Sequence, residues 1–228
     1  MLNRSLLTGA LLLALLAQVR PSGAEAPVVP GGAPPAAAMA PSVRTGFGSP
    51  MDLRLELRRL WVEHIIYTRS YIVSTLAGLP DKKVVASRLM ANQDSIGAAI
   101  VPYYGREAGS RLAKLLREHI TIAADVVAMA MAGDPSGLKD AQARWADNGS
   151  RMADFLGATN PYWARPEIAM MLTEHLATTT AEVKARLAGD WKGDLANFDL
   201  LTGHMLLFAD YLAAGVQRQF PDRFTAGP

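Results

Sequence analysis

The chain has 228 residues, half of them hydrophobic and 19% charged, enough apolar material for one ordinary domain of roughly 150 to 200 residues. It has no cysteine, so it folds without disulfides, offers no cysteine nucleophile and cannot be acylated as a lipoprotein. Lys plus Arg is 23 and Asp plus Glu is 21, a net charge of +2 with the basic residues scattered, which leaves no dense footprint for nucleic acid.

Met1-Leu2-Asn3-Arg4 supplies a positive start, residues 6–16 an apolar run, and Ala24-Glu25-Ala26 an A-x-A cleavage site. Residues 1–26 therefore read as a secretory signal peptide, which predicts a periplasmic or extracellular protein. An apolar run of about twelve residues is too short to span a hydrocarbon core of roughly 30 Å, so no stable membrane insertion is expected after cleavage. An uncleaved anchor is the competing reading, and Arg20 and Pro21, which end the run, oppose it.

Residues 27–49 carry Pro27, Pro30, Pro34, Pro35 and Pro41 among Gly and Ala, a composition that predicts a disordered tether. The domain is expected over 50–220, opening where Ser49 caps a helix, Pro50 takes its first position and Asp52 favours its dipole. Residues 221–228 are expected to form a flexible tail. Periodicity predicts six helices, over 50–77, 81–101, 106–132, 135–157, 162–188 and 192–219. Asp134-Pro135 and Asn160-Pro161 each pair a capping residue with a helix-opening proline, and Gly78, Gly133 and Gly189 fall where a helix ends. No alternation long enough for a sheet occurs. The fold class expected is all-α.

One phrase recurs three times: Glu63-His64, Glu118-His119 and Glu174-His175, each followed by a Leu/Met-Ala-Gly ending at Gly78, Gly133 or Gly189. The histidines are 55 and 56 residues apart, which predicts three repeated helical hairpins with a period near 55 residues. The second helix of each hairpin repeats more faintly. Arg88-Leu89-Met90-Ala91-Asn92 resembles Arg144-Trp145-Ala146-Asp147-Asn148, and residues 152–156 resemble residues 208–212. In that register Asn92, Asn148 and His204 correspond, lying 28, 29 and 29 residues beyond the histidine of their own hairpin.

Helical spacing sets which way the histidines face. Leu57, Leu112 and Ile168 lie seven residues before them, Leu60, Leu115 and Met171 four before, and Trp61, Leu116 and Leu172 three before, so all three project into the core. A core histidine needs a hydrogen-bond partner, and the expected pairs are His64 with Asn92, His119 with Asn148 and His175 with His204. In the other reading His64, His119, His175 and His204, the chain's four histidines, assemble a metal site from facing helices and hold zinc, iron or copper. Glu63, Glu118 and Glu174, with Asn92 and Asn148, are then the candidate ligand-binding neighbours. Adjacent Glu and His lie about 100° apart around a helix and do not make the Glu-x-x-His di-iron pattern. Arg59 and Lys114, four residues before the first two glutamates, offer them ordinary surface ion pairs.

Tyr103-Tyr104-Gly105 and Asn160-Pro161-Tyr162-Trp163 bring aromatics to two connections, either to line a small-ligand pocket or to staple a turn to the core. Asp154 and Asp210 correspond across the second helices and are a weak carboxylate pair. There is no phosphate loop, nucleophile elbow or HExxH, so no catalytic residues are assigned.

From Arg58 to Phe224, the phrases Trp61-Val62-Glu63-His64, Tyr103-Tyr104-Gly105, Asn160-Pro161-Tyr162-Trp163 and Gln219-Phe220-Pro221 resemble those of a family of small exported bacterial all-helical proteins of unassigned function. Some of its members carry a glycosyltransferase label. The residues here give that label no support, since the chain has neither strands nor an Asp-x-Asp motif. The resemblance implies a bacterial exported protein and transfers no catalytic residue. Two functions follow from the residues: an exported helical-bundle protein binding a metal ion or small molecule through core histidines, or a non-enzymatic structural or protein-interaction module with purely structural His/Asn pairs.

Overall fold

The computed structural model describes residues 47–224; the expected signal peptide, most of the expected tether and the end of the expected tail lie outside them. The described chain is all-helical, with α1 (Pro50–Leu76), α2 (Lys82–Ala132), α3 (Pro135–Thr159), α4 (Arg165–Leu187) and α5 (Trp191–Gln219), then a 3-10 turn at Pro221–Arg223. None of these helices is long and apolar enough to cross a membrane.

The local chemistry of the helix ends accounts for most boundaries. Ser49 Oγ accepts the Asp52 N–H at 3.1 Å and Pro50 opens α1. Asp134 Oδ1 accepts from the backbone of Ser136 and Gly137 ahead of α3, and Asp190 from Gly193 at the start of α5. Gly78, Gly133 and Gly189 have positive φ just beyond the ends of α1, α2 and α4.

One boundary differs from the sequence reading. Asn160-Pro161 does not open a helix: the Asn160 N–H closes α3 on the Leu156 carbonyl, and its Oδ1 accepts the Tyr162 N–H at 2.7 Å. Residues 160–164 form a turn, and α4 starts at Arg165. The Asn160 amide also donates to Tyr104 Oη at 2.7 Å, Tyr104 donates to Gln219, and Trp163 Nε1 donates to the Leu212 carbonyl. The aromatics of both connections thus staple turns to the core.

The helix count also differs. The segments expected over 81–101 and 106–132 form one element, because a single residue, Gly105 (φ 80, ψ 169), leaves helical geometry. A side chain there is strained, and Pro102, which lacks an N–H, already weakens the ladder three residues earlier. Beyond the bend the chain doubles back on itself, and Arg117 reaches Asp94 (2.9 Å) and the Met90 carbonyl. The two arms touch at glycines: a Cβ added to Gly97 would lie 2.5 Å from the Gly109 carbonyl oxygen and 2.8 Å from the Ala113 Cβ.

α1 packs on α2 and α5, α3 on α2 and α4, and α4 on α5, so every helix has neighbours on two sides. The main core includes Phe47 and Phe224, which carry it past both ends of the expected 50–220 span; Phe224 stacks on Tyr103 at 5.5 Å. Gly97 and Gly203 make a matched test of close packing. Gly97→Ala should cost about 1 to 3 kcal/mol by overpacking. Gly203→Ala, where a Cβ meets nothing within 4 Å, should stabilise α5 by about 0.5 to 1 kcal/mol. Urea midpoints of the two variants measure the difference, and equal midpoints would contradict the close approach of the two arms.

Candidate functional site: a triangle of core histidines

His64 on α1, His119 on the second arm of α2 and His175 on α4 are 2%, 2% and 4% exposed. Their rings converge. Centroids are 6.4 Å apart for His64 and His119, 5.7 Å for His64 and His175, and 5.7 Å for His119 and His175. Trp61 meets the edge of His64 at 5.7 Å and Trp145 lies 5.1 Å from His119, so the triangle is walled by indoles.

Buried amides determine the chemistry of two rings. His119 Nδ1 is 3.0 Å from Asn148 Oδ1, the pair expected from sequence. His64 Nδ1 is 3.2 Å from Gln93 Oε1, not from Asn92. Gln93 donates through Nε2 to the Leu89 carbonyl and Asn92 Oδ1, and Asn148 donates through Nδ2 to the Leu115 carbonyl, so each amide presents its oxygen to the imidazole. An oxygen of this kind only accepts; Nδ1 therefore carries the hydrogen, and Nε2 keeps the free lone pair.

Asn92 has a different role. Its Nδ2 donates to the Leu60 carbonyl at 3.0 Å, Asn148 donates to that of Leu115 at 3.1 Å, and His204 Nε2 donates to that of Met171 at 2.8 Å. Each acceptor lies four residues before one of the three histidines. Asn148 does both jobs, Asn92 and Gln93 divide them, and His204 does only the carbonyl job. The expected pair of His175 with His204 therefore does not form, and the buried His175 Nδ1 has no hydrogen-bond partner. The signal for Gln93 is in the spacing: it stands 29 residues beyond His64, as Asn148 does beyond His119.

The glutamates face away. Glu63 is held by Arg59 at 2.5 Å and Arg88 at 2.9 Å; Glu118 pairs with Arg151 at 2.5 Å, in place of the expected Lys114; Glu174 is exposed, with its carboxylate 3.5 Å from His204 Nδ1. Asp154 binds Arg165, while Asp210 sits between Arg54 and Arg58, so these two do not act as a pair. Among the described residues no group of three or more His, Cys, Asp or Glu is arranged to hold a metal ion as it stands.

No family model, curated protein or solved structure matches this chain. One turn beyond the histidines, Thr68, Ala123 and Thr179 line a cavity of about 20 Å³, walled by Ile72, Leu89, Val126 and Val183. Trp145 and Thr180 line both this cavity and an outer groove of about 540 Å³ between α3 and α4, which Gly149, Leu172, Thr173 and Lys184 also line.

All three rings are neutral. Burial pushes His64 down to about 4 against the opposing Gln93 bond. Burial, and the repulsion that a second protonated ring beside His64 would meet, push His119 down to about 3, and burial with the neighbouring histidines takes His175 well below 6.5. The unfolded chain titrates near 6.5 and the folded chain only well below it, so protons favour the unfolded state. Stability should be level above pH 7 and fall from pH 6.5 toward 4.5, by about 1.4 kcal/mol per pH unit for each histidine. Glu182, raised by burial, acts in the opposite sense and offsets at most one of the three. Urea denaturation of the metal-free full chain between pH 8 and 4.5 measures this; a midpoint unchanged to pH 5 would contradict three buried neutral rings.

Proposed function

We propose that this chain is an exported binding protein, a bundle of three helical hairpins repeated from a unit of about 55 residues, that holds a metal ion among His64, His119 and His175. The hairpin reading is supported by the doubling back of α2 at Gly105 and by the threefold bond to a carbonyl one turn before each histidine. Export is supported by the signal-like residues 1–26 and places the protein in the periplasm or outside the cell.

One observation carries the metal reading: three imidazoles converge, and two have Nδ1–H tied to an amide oxygen, which leaves Nε2 basic. Metal-binding histidines are oriented in this way by the partner of their second nitrogen. With Nε2 about 2.1 Å from a tetrahedral ion, ring centroids would lie about 5 Å apart, so the rings would have to draw in by roughly 1 Å. His175, whose Nδ1 is unbonded, is the ring least restrained from turning. His204, committed to the Met171 carbonyl, is left out of the ligand set.

The structural-module reading has its own support, since the ring spacing is wider than a metal site needs and amide bonds alone explain His64 and His119. Metal loading separates the two. Full-length protein incubated with zinc, copper or iron and freed of excess should retain one ion per chain, and the triple His64→Asn, His119→Asn, His175→Asn variant none. Gln93→Leu, which removes only the orienting amide, should weaken retention about 10- to 100-fold. Folded wild-type protein that retains none of the three metals would leave the histidines with a purely structural role.

A further inference from the structure

The charges around the triangle narrow the identity of the ion, on the premise that the metal reading above holds. Every donor that converges is neutral. Glu63 and Glu118 are tied to arginines on the outer surface, and Glu174 is exposed. Among the described residues two acids are buried, Glu182 and Asp194, but both are bonded to Arg69, and Asp194 also to Arg186. Glu182 follows His175 by seven residues, about 10 Å along α4. Two carboxylates and two guanidiniums make that cluster neutral, so it offers no compensating charge. Among the described residues the hydrogen-bond partners of the three rings are the neutral amides Gln93 and Asn148, and no carboxylate is bonded to them.

An ion bound here keeps its whole charge inside an apolar core. The cost of burying an ion rises with the square of its charge, about fourfold greater for a divalent than for a monovalent cation. Zinc in a three-histidine site also keeps a fourth position for water or hydroxide. The adjoining cavity is mostly apolar, and the Thr68, Thr179 and Thr180 hydroxyls on its wall already donate to the carbonyls of His64, His175 and Leu176. A bound water needs two to four polar partners, and this wall is a poor source of them. We infer that the ion selected by this core is monovalent copper, held by three imidazole nitrogens without an anionic ligand. Copper(I) accepts trigonal coordination, imidazole is among its biological ligands, and three neutral donors leave a single positive charge to bury.

Anaerobic titration of the purified full chain tests this, with copper(I) competed by bicinchoninate and zinc(II) by a chromophoric zinc chelator. The expected result is one copper(I) per chain, bound on the order of 100-fold tighter than zinc(II). Zinc(II) bound equally or more tightly overturns the charge selection and leaves the metal reading intact; failure of both ions overturns the metal reading itself. X-ray absorption at the copper edge of the wild-type complex gives a readout that needs no variant. Three nitrogen neighbours are expected, and a sulfur neighbour would move the copper to methionine and overturn the proposal.

Discussion

Three imidazoles buried on one cross-section of a helical domain constrain what surrounds them. Each ring brings one donor and one acceptor into a region without bulk water, and leaving a buried polar atom unpartnered costs about 1 to 3 kcal/mol. Gln93 and Asn148 meet the donor of two rings, and their own amide hydrogens are satisfied by the Leu89 and Leu115 carbonyls. These bonds tie neighbouring helices in one register: a slip of one residue would break both Asn148 bonds to the arm of His119, and the Gln93–His64 and Asn92–Leu60 bonds to α1. Fixing the rings and fixing the helices is one and the same arrangement.

The arrangement is incomplete on one side. His175 has no amide, because the corresponding residue, His204, donates to the Met171 carbonyl and sets its other nitrogen beside Glu174. Two rings are thus clamped and one is not. A purely structural core gains nothing from an unpartnered nitrogen, whereas a ligand site whose last member must turn by a small angle is served by one. The neutral, indole-walled surroundings act in the same direction: they hold the imidazoles unprotonated well below neutral pH, so protons compete weakly for the lone pairs.

Much of this was legible in the sequence, and the misses have physical causes. Rows of apolar residues at three, four and seven positions before each histidine gave the direction of the rings, because a helix places those residues on one face. Residue identity points to Asn92 as the partner of His64, whereas spacing points to Gln93. Two adjacent amides on one helix are both buried here, and only the 29-residue interval separates their roles. Asn160-Pro161 has the pattern of a helix start, but an asparagine side chain can accept from a backbone N–H two residues on and close a turn equally well. Periodicity leaves residues 102–105 as a loop; one glycine with positive φ makes the reversal without one.

The central claim is that the triangle presents unprotonated Nε2 atoms from His64 and His119, and the tautomers test it most directly. Imidazole nitrogen-15 NMR of the full chain should show His64 and His119 protonated at Nδ1 and bare at Nε2, still neutral at pH 5. One equivalent of copper(I) should shift these two Nε2 resonances together with one ring nitrogen of His175, and leave both protonated Nδ1 resonances in place. Nε2-protonated tautomers in His64 and His119, or Nε2 resonances that ignore the ion, would contradict it.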